Sequence, residues 1–175
     1  MRRRRLLVLS AILSFLTSAC RRPVEETRFL NFDPESSARA LLSGWSGWEK
    51  TPEGDSFAWC QAREGRLSVV SRADGDRLLR FRCWPFLYPG GSPQAVTLYV
   101  NETKIETTTL ADGPHVYSYL TPQAAWRDGT NEIRLEFAFA EAPKDRLPGA
   151  ADIRTLSAAF DWLEIVPPLK FQPKR

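Results

Sequence analysis

Residues 129–139 read Gly-Thr-Asn-Glu-Ile-Arg-Leu-Glu-Phe-Ala-Phe. Ile133, Leu135, Phe137 and Phe139 fall on one parity and Arg134, Glu136 and Ala138 on the other, the period of a strand with one packed face and one wet face. The same pattern recurs upstream. Leu79, Phe81 and Cys83 interleave with Arg80, Arg82 and Trp84, and Val96, Leu98 and Val100 interleave with Thr97 and Tyr99. Further strand-length pieces are Phe57–Ala62, Arg66–Ser71, the β-branched run Lys104–Leu110, Val116–Leu120 and Leu156–Val166. Turn residues part them: Arg63-Glu64-Gly65 as a hairpin with Gly at positive φ, then Asp74-Gly75-Asp76, Asn101-Glu102-Thr103 and Asp112-Gly113-Pro114. In the last piece the apolar phase shifts at Trp162-Leu163, which predicts a bulge or burial on both faces. About eight short strands and no long amphipathic helix define an all-β chain, an antiparallel β-sandwich of jelly-roll type.

One short N-terminal helix is expected. Asp33-Pro34-Glu35-Ser36 combines an Asp N-cap with Pro at the first helical position, Ala38, Leu41 and Leu42 form an apolar face, and Gly44 ends it. Gly44 to Gly54 reads as a loop carrying Trp45 and Trp48, and Thr121-Pro122 opens a single helical turn. Trp59 and Trp162 fall within strands and are expected in the core.

The N-terminus has the pattern of an export signal. Arg2 to Arg5 precede the apolar stretch Leu6–Leu16, which falls short of the roughly 20 residues that span a bilayer. Leu16-Thr17-Ser18-Ala19-Cys20 resembles a bacterial lipobox, with Thr17 at the usual leucine position and the small Ser-Ala-Cys end intact. The expected division is therefore residues 1–19 as signal peptide, 20–28 as lipidated Cys20 and tether, 29–167 as the sandwich, and 168–175 as a basic, Pro-containing tail. Arg21 after the Cys, in lipoproteins resembling the enterobacterial kind, implies the outer membrane. The partner expected at this end is the membrane, held through the lipid.

The chain has 24 basic and 21 acidic residues; without the four leader arginines, 20 basic face 21 acidic. That balance excludes a nucleic-acid partner, which needs a basic face. A single His, three Cys and one Met argue against a metal or haem centre, and no cofactor is expected. An oxidising compartment would allow Cys60 and Cys83 to pair as a disulfide; the alternative is two buried thiols acting as small hydrophobes.

Three stretches resemble the galactose-binding-domain-like jelly rolls carried as accessory domains on bacterial envelope proteins, including versions attached to sulfatases. The first is Leu42-Ser43-Gly44-Trp45 with Phe57-Ala58-Trp59. The second runs from Arg82-Cys83-Trp84-Pro85-Phe86 through Pro93-Gln94 to Val100-Asn101. The third joins Gly129-Thr130-Asn131 to Asp161-Trp162. The resemblance implies the fold; no sulfatase or transferase domain follows in this sequence.

For binding, aromatic faces can stack on sugar C–H groups while carboxylates and amides bond the hydroxyls. Trp45, Trp48, Trp84, Phe86 and Tyr88 fall in predicted loops and are the candidate ligand-binding rings, against the alternative that they plug the ends of the sandwich. His115 reads as a strand-edge residue, and no Gly-x-Ser-x-Gly elbow is present to support a triad, so no catalytic residue is assigned. Asp74, Asp76 and Asp152 could supply oxygen ligands to calcium but read more simply as turn residues. Asn101-Glu102-Thr103 matches a glycosylation sequon and reads as a hairpin tip. Arg80, Arg82 and Arg134 with Glu136 would make one charged face if their strands adjoin. The resulting expectation is a membrane-anchored, non-catalytic module binding carbohydrate or another envelope component. The alternative is an assembly lipoprotein docking a protein such as an envelope sulfatase or transferase, and a hydrolase comes third.

Overall fold

The computed structural model describes residues 25–167; the leader, Cys20 and the basic tail lie outside the described residues. Two antiparallel sheets face each other. The front sheet holds β1 (Phe29–Asn31), β3 (Trp45–Lys50), β4 (Ser56–Cys60), β6 (Arg77–Pro85), β9 (His115–Thr121) and β11 (Ala158–Val166). Its order is β3-β4-β11-β6-β9, with β1 beside the second half of β11. The back sheet holds β2 (Leu41–Ser43), β5 (Glu64–Ser71), β7 (Ala95–Val100), β8 (Thr103–Thr109) and β10 (Gly129–Phe137), in the order β2-β5-β10-β7-β8. This is the expected all-β sandwich.

Alternation decides which side chains fill the space between the sheets. Phe160 stands at the centre, with Phe32, Trp45, Phe81 and Phe137 at 5.3–6.2 Å between ring centroids. Leu67, Leu98, Ile133 and Leu135 supply the back-sheet layer and are fully buried. The phase shift foreseen in the last strand is a bulge: the register of β11 against β6 slips between Phe160 and Trp162, leaving Asp161 as the extra residue.

Several local expectations are corrected. The helix α1 (Pro34–Ser37) does begin at Asp33, whose carboxylate accepts from the Ser36 backbone N–H at 2.6 Å, but it ends at Ser37. Leu41 and Leu42 belong to β2 because the exposed edge of β5 recruits them, with Ser68 N–H donating to the Ala40 carbonyl at 2.7 Å. Arg63-Glu64-Gly65 is a crossing between sheets, since β4 lies in the front sheet and β5 in the back. Gly65 fits tight packing there: a Cβ would sit 3.0 Å from the Trp45 ring and 3.1 Å from Cys60 Sγ, so either would have to shift. Gly44 combines φ +83° with a close approach to the Glu64 carbonyl, 2.1 Å from where a Cβ would lie. The last residues of the expected tether are also bound to the body. Thr27 N–H donates to the Val70 carbonyl, Ile165 N–H donates to the Arg28 carbonyl, and Glu26 pairs with Arg72 and the buried Arg77.

The residues that carried the family resemblance work as internal staples. Gln94, fully buried, bonds the Phe139 and Ser157 carbonyls through Nε2 and receives Ala95 N–H on Oε1. Asn101, at φ 51° on the β7–β8 hairpin tip, donates to Asn131 Oδ1 and the Ala125 carbonyl, and Asn131 closes the Arg127–Gly129 turn. Burying amides this completely is tolerable only because each polar atom has a partner. The sequon asparagine is thus committed to the interior.

Candidate functional site

The outward parity of the front sheet carries three rings, among them Trp59, which the sequence reading placed in the core. Trp59 on β4 and Trp84 on β6 both lie abreast of Ala159 on the intervening β11. Ala159 is fully buried, and because its side chain is a single methyl the two indoles approach to 6.5 Å between centroids above it. Phe57, two residues along β4, closes the group at 5.1 Å from Trp84 and 6.4 Å from Trp59. All three pairs meet edge to face, a favoured aromatic geometry, and all three rings stay half-buried.

Polar groups frame the cluster. Glu49 lies abreast of Phe57 on the edge strand β3 and accepts from Arg154 at 2.6 Å. On the other side Arg82 is ion-paired with Asp161 at the bulge. A hollow of about 390 Å³ opens beside Phe57 and Trp84, bordered by Lys50, Asp55, Arg82 and Pro114. A larger hollow of about 880 Å³ near the N-terminal segment is bordered mainly by Glu25, Glu26, Arg28, Arg39 and Arg72, with Phe29 as its aromatic residue.

The five candidate rings therefore occupy three separate places. Trp84 alone joins the cluster. Trp45 begins β3 facing inward, packs on Phe32 and Phe160, and donates its indole N–H to the Arg66 carbonyl at 2.8 Å. Trp48 is also a strand residue, abreast of the inward Ala58, with its N–H on Ser37 Oγ at 2.8 Å. Phe86 is buried, and Tyr88 packs between it, Phe139 and the Arg146 guanidinium, plugging one end of the sandwich. Trp162, expected in the core, lies on the outer face stacked on Phe29 at 5.9 Å. Parity alone contained the missed signal: Trp84 shares it with Arg80 and Arg82, and Phe57 and Trp59 alternate with the inward Ala58 and Cys60.

Cys60 and Cys83 are free buried thiols, the second of the two alternatives read from the sequence, and not a disulfide. β11 runs between their strands, and two interstrand spacings place the Cα atoms about 10 Å apart, beyond the roughly 7 Å a disulfide spans. Burial pushes the Cys60 thiol up to about 12 and raises that of Cys83 as well, so neither is a nucleophile. The charged face imagined from Arg80, Arg82 and Arg134 is divided, because Arg134 belongs to the back sheet. Asp74 pairs with Arg77, Asp76 accepts from Gln123 N–H, and Asp152 pairs with Arg154, so these carboxylates already have protein partners. His115 is exposed at the start of β9, 3.1 Å from the Gly113 carbonyl.

No family model matches the chain, and no curated protein matches it. Among solved structures it is similar to a family 35 carbohydrate-binding module from an environmental isolate, with a TM-score of 0.51 and 16% identity over 81% of this chain and 93% of that one. It also matches the C-terminal family 6 module of LamC, a marine laminarinase from Zobellia galactanivorans, with TM-score 0.49 and 13% identity over 79% and 99%. A family 36 module of a multidomain xylanase from the hindgut metagenome of Trinervitermes trinervoides gives 0.49 and 17% over 82% and 98%. The antiparallel jelly-roll sandwich, galactose-binding-like in fold, is shared with the family 35 module.

Proposed function

We propose that the protein is a non-catalytic carbohydrate-binding module held to the bacterial envelope by lipid on Cys20. The observation that carries this reading is the Phe57–Trp59–Trp84 cluster, three half-exposed rings gathered over Ala159 on the solvent side of a sheet. A sugar ring offers apolar C–H faces ringed by hydroxyls. The aromatic group supplies the apolar footing, and Lys50, Asp55 and the Arg82–Asp161 pair beside it supply donors and acceptors for the hydroxyls. Lys50 and Arg82 also suit a sulfated or carboxylated glycan. The shared fold with a module that binds carbohydrate supports the same reading. Of the carboxylates near the rings, Glu49 is held by Arg154 and Asp161 by Arg82, which fixes both for recognition, while Asp55 is exposed at the rim of the hollow.

The lipobox reading of residues 16–20 supports an acylated Cys20, and Arg21 after it supports attachment to the outer membrane. A glycan array containing sulfated and bacterial envelope glycans, probed with the chain and with a Trp59→Ala/Trp84→Ala variant of unchanged circular dichroism, tests the binding function. Binding by the first and not by the second is expected. Equal binding by both removes the ring site, and binding by neither removes the function.

A further inference from the structure

At the opposite end of the front sheet the outward residues are aliphatic. Leu78 on β6 lies between Val166 on β11 and Leu120 on β9, and Phe29 projects from β1 on the same side. Leu120 is 68% exposed, Phe29 57% and Leu78 36%, the most open apolar row on this sheet. Isolated exposed leucines need no explanation, but a row of abutting ones does.

The chain around the row limits what can lie against it. The segment at residues 26–28 is pinned by Glu26 to Arg72 at 3.0 Å, by Glu26 to the buried Arg77 at 3.6 Å, and by the Thr27 and Ile165 backbone bonds, so it cannot peel from the body without breaking all of them. Cys20 is five residue steps before Glu25 and, at full extension, can stand no more than about 18 Å from it. A lipid on Cys20 therefore keeps this end of the sandwich at the bilayer, and the aliphatic row with it. With Glu26 and Arg72 paired, exposed Arg28 and Arg39 outnumber exposed Glu25 at the hollow beside Phe29, a balance that complements anionic headgroups. The aromatic cluster lies on the same face about six strand residues away, roughly 20 Å.

We infer that Phe29, Leu78, Leu120 and Val166 form a membrane-docking row that seats this end of the domain upon an anionic lipid surface. The inference rests on the Cys20 anchor proposed above. The test uses the full lipidated protein in phosphatidylglycerol–phosphatidylethanolamine vesicles containing spin-labelled lipid, with an environment-sensitive fluorophore on Leu120→Cys or Phe29→Cys. Buried Cys60 and Cys83 do not compete for the label. Thr107→Cys, on the back sheet, is the control. Docking predicts several-fold stronger quenching at 29 and 120 than at 107, lost in detergent micelles. Equal quenching at all three positions, with acylated Cys20 found by peptide mass, overturns the docking and leaves the anchor standing. Energy transfer between labelled copies at 120 without lipid quenching assigns the row to a second copy and also overturns it. An unacylated Cys20 removes the anchor and the docking together.

Discussion

On the back sheet, Arg134 lies over the Tyr99 ring at 3.7 Å and reaches Glu136 at 2.7 Å and Glu64 at 3.4 Å, while Arg66 joins Glu64 to Glu132. On the front sheet, Arg80 pairs with Glu164 and Arg82 with Asp161, but each arginine alternates with a ring or an aliphatic: Trp84 beyond one, Leu78 beyond the other. The two faces arise from the same period of two and carry different chemistry. Two strands of the back sheet, β5 and β10, contribute charges that satisfy one another and cover Tyr99 on β7, leaving Leu42 on the edge strand β2 as its exposed large apolar side chain among the described residues. In the front sheet the ion pairs bridge only β6 and β11, so the rings at one end and the leucines at the other remain open. Ionic coverage thus closes much of one face to apolar contact, and its interruption leaves rings and leucines open on the other.

The largest expected effect removes the frame both faces share. Phe160→Ala takes out the ring that touches Phe32, Trp45, Phe81 and Phe137, and should cost about 3–5 kcal/mol by chemical denaturation. A loss below about 1 kcal/mol would mean that the sheets do not pack through this residue. Next, Trp84→Ala should weaken binding of any glycan found on the array by about thirtyfold, some 2 kcal/mol, in titration calorimetry. Affinity unchanged in a folded variant would move the site elsewhere. Third, Arg134→Ala should leave glycan affinity untouched and lower stability by about 1 kcal/mol or less, because the lattice is partly exposed to water. Loss of binding in that variant would reverse the assignment of the two faces.

How far the sequence discloses this contrast depends on the range of the interaction. Parity is local, so Ile133, Leu135 and Phe137 facing inward, and Arg80, Arg82 and Trp84 facing outward, are legible from the chain alone. Which strands adjoin is not. Nothing local places β11 between β4 and β6, yet that insertion separates Cys60 from Cys83 and brings Trp59 and Trp84 together over Ala159. The same limit hid the separation of Arg134 from Arg80. Trp45 and Trp48 misled for another reason: glycines on either side suggest a loop, whereas Gly44 is there to let the backbone pass the Glu64 carbonyl as an edge strand begins.

The smallest expected effect is a pH dependence in which the ionic face takes part. Hydrogen bonding from Arg66 holds the Glu64 carboxyl below its ordinary value of 4.5, and the Arg134 contact adds to it. Because the folded-state value is the lower one, the ion pair's contribution to stability is fully present above 4.5 and is lost as pH falls through the depressed value. Denaturation midpoints should therefore stay level between pH 7 and about pH 5 and decline below that. Asp152, lowered by Arg154, and Asp33, lowered by the Ser36 N–H, add to the decline with the same sign. Glu64→Gln should be slightly less stable at neutral pH and should converge on the parent protein in acid, since the parent has by then lost the same charge. Parallel curves down to the lowest pH would show that Glu64 titrates alike folded and unfolded, and that the back-sheet lattice covers its face without coupling to the fold.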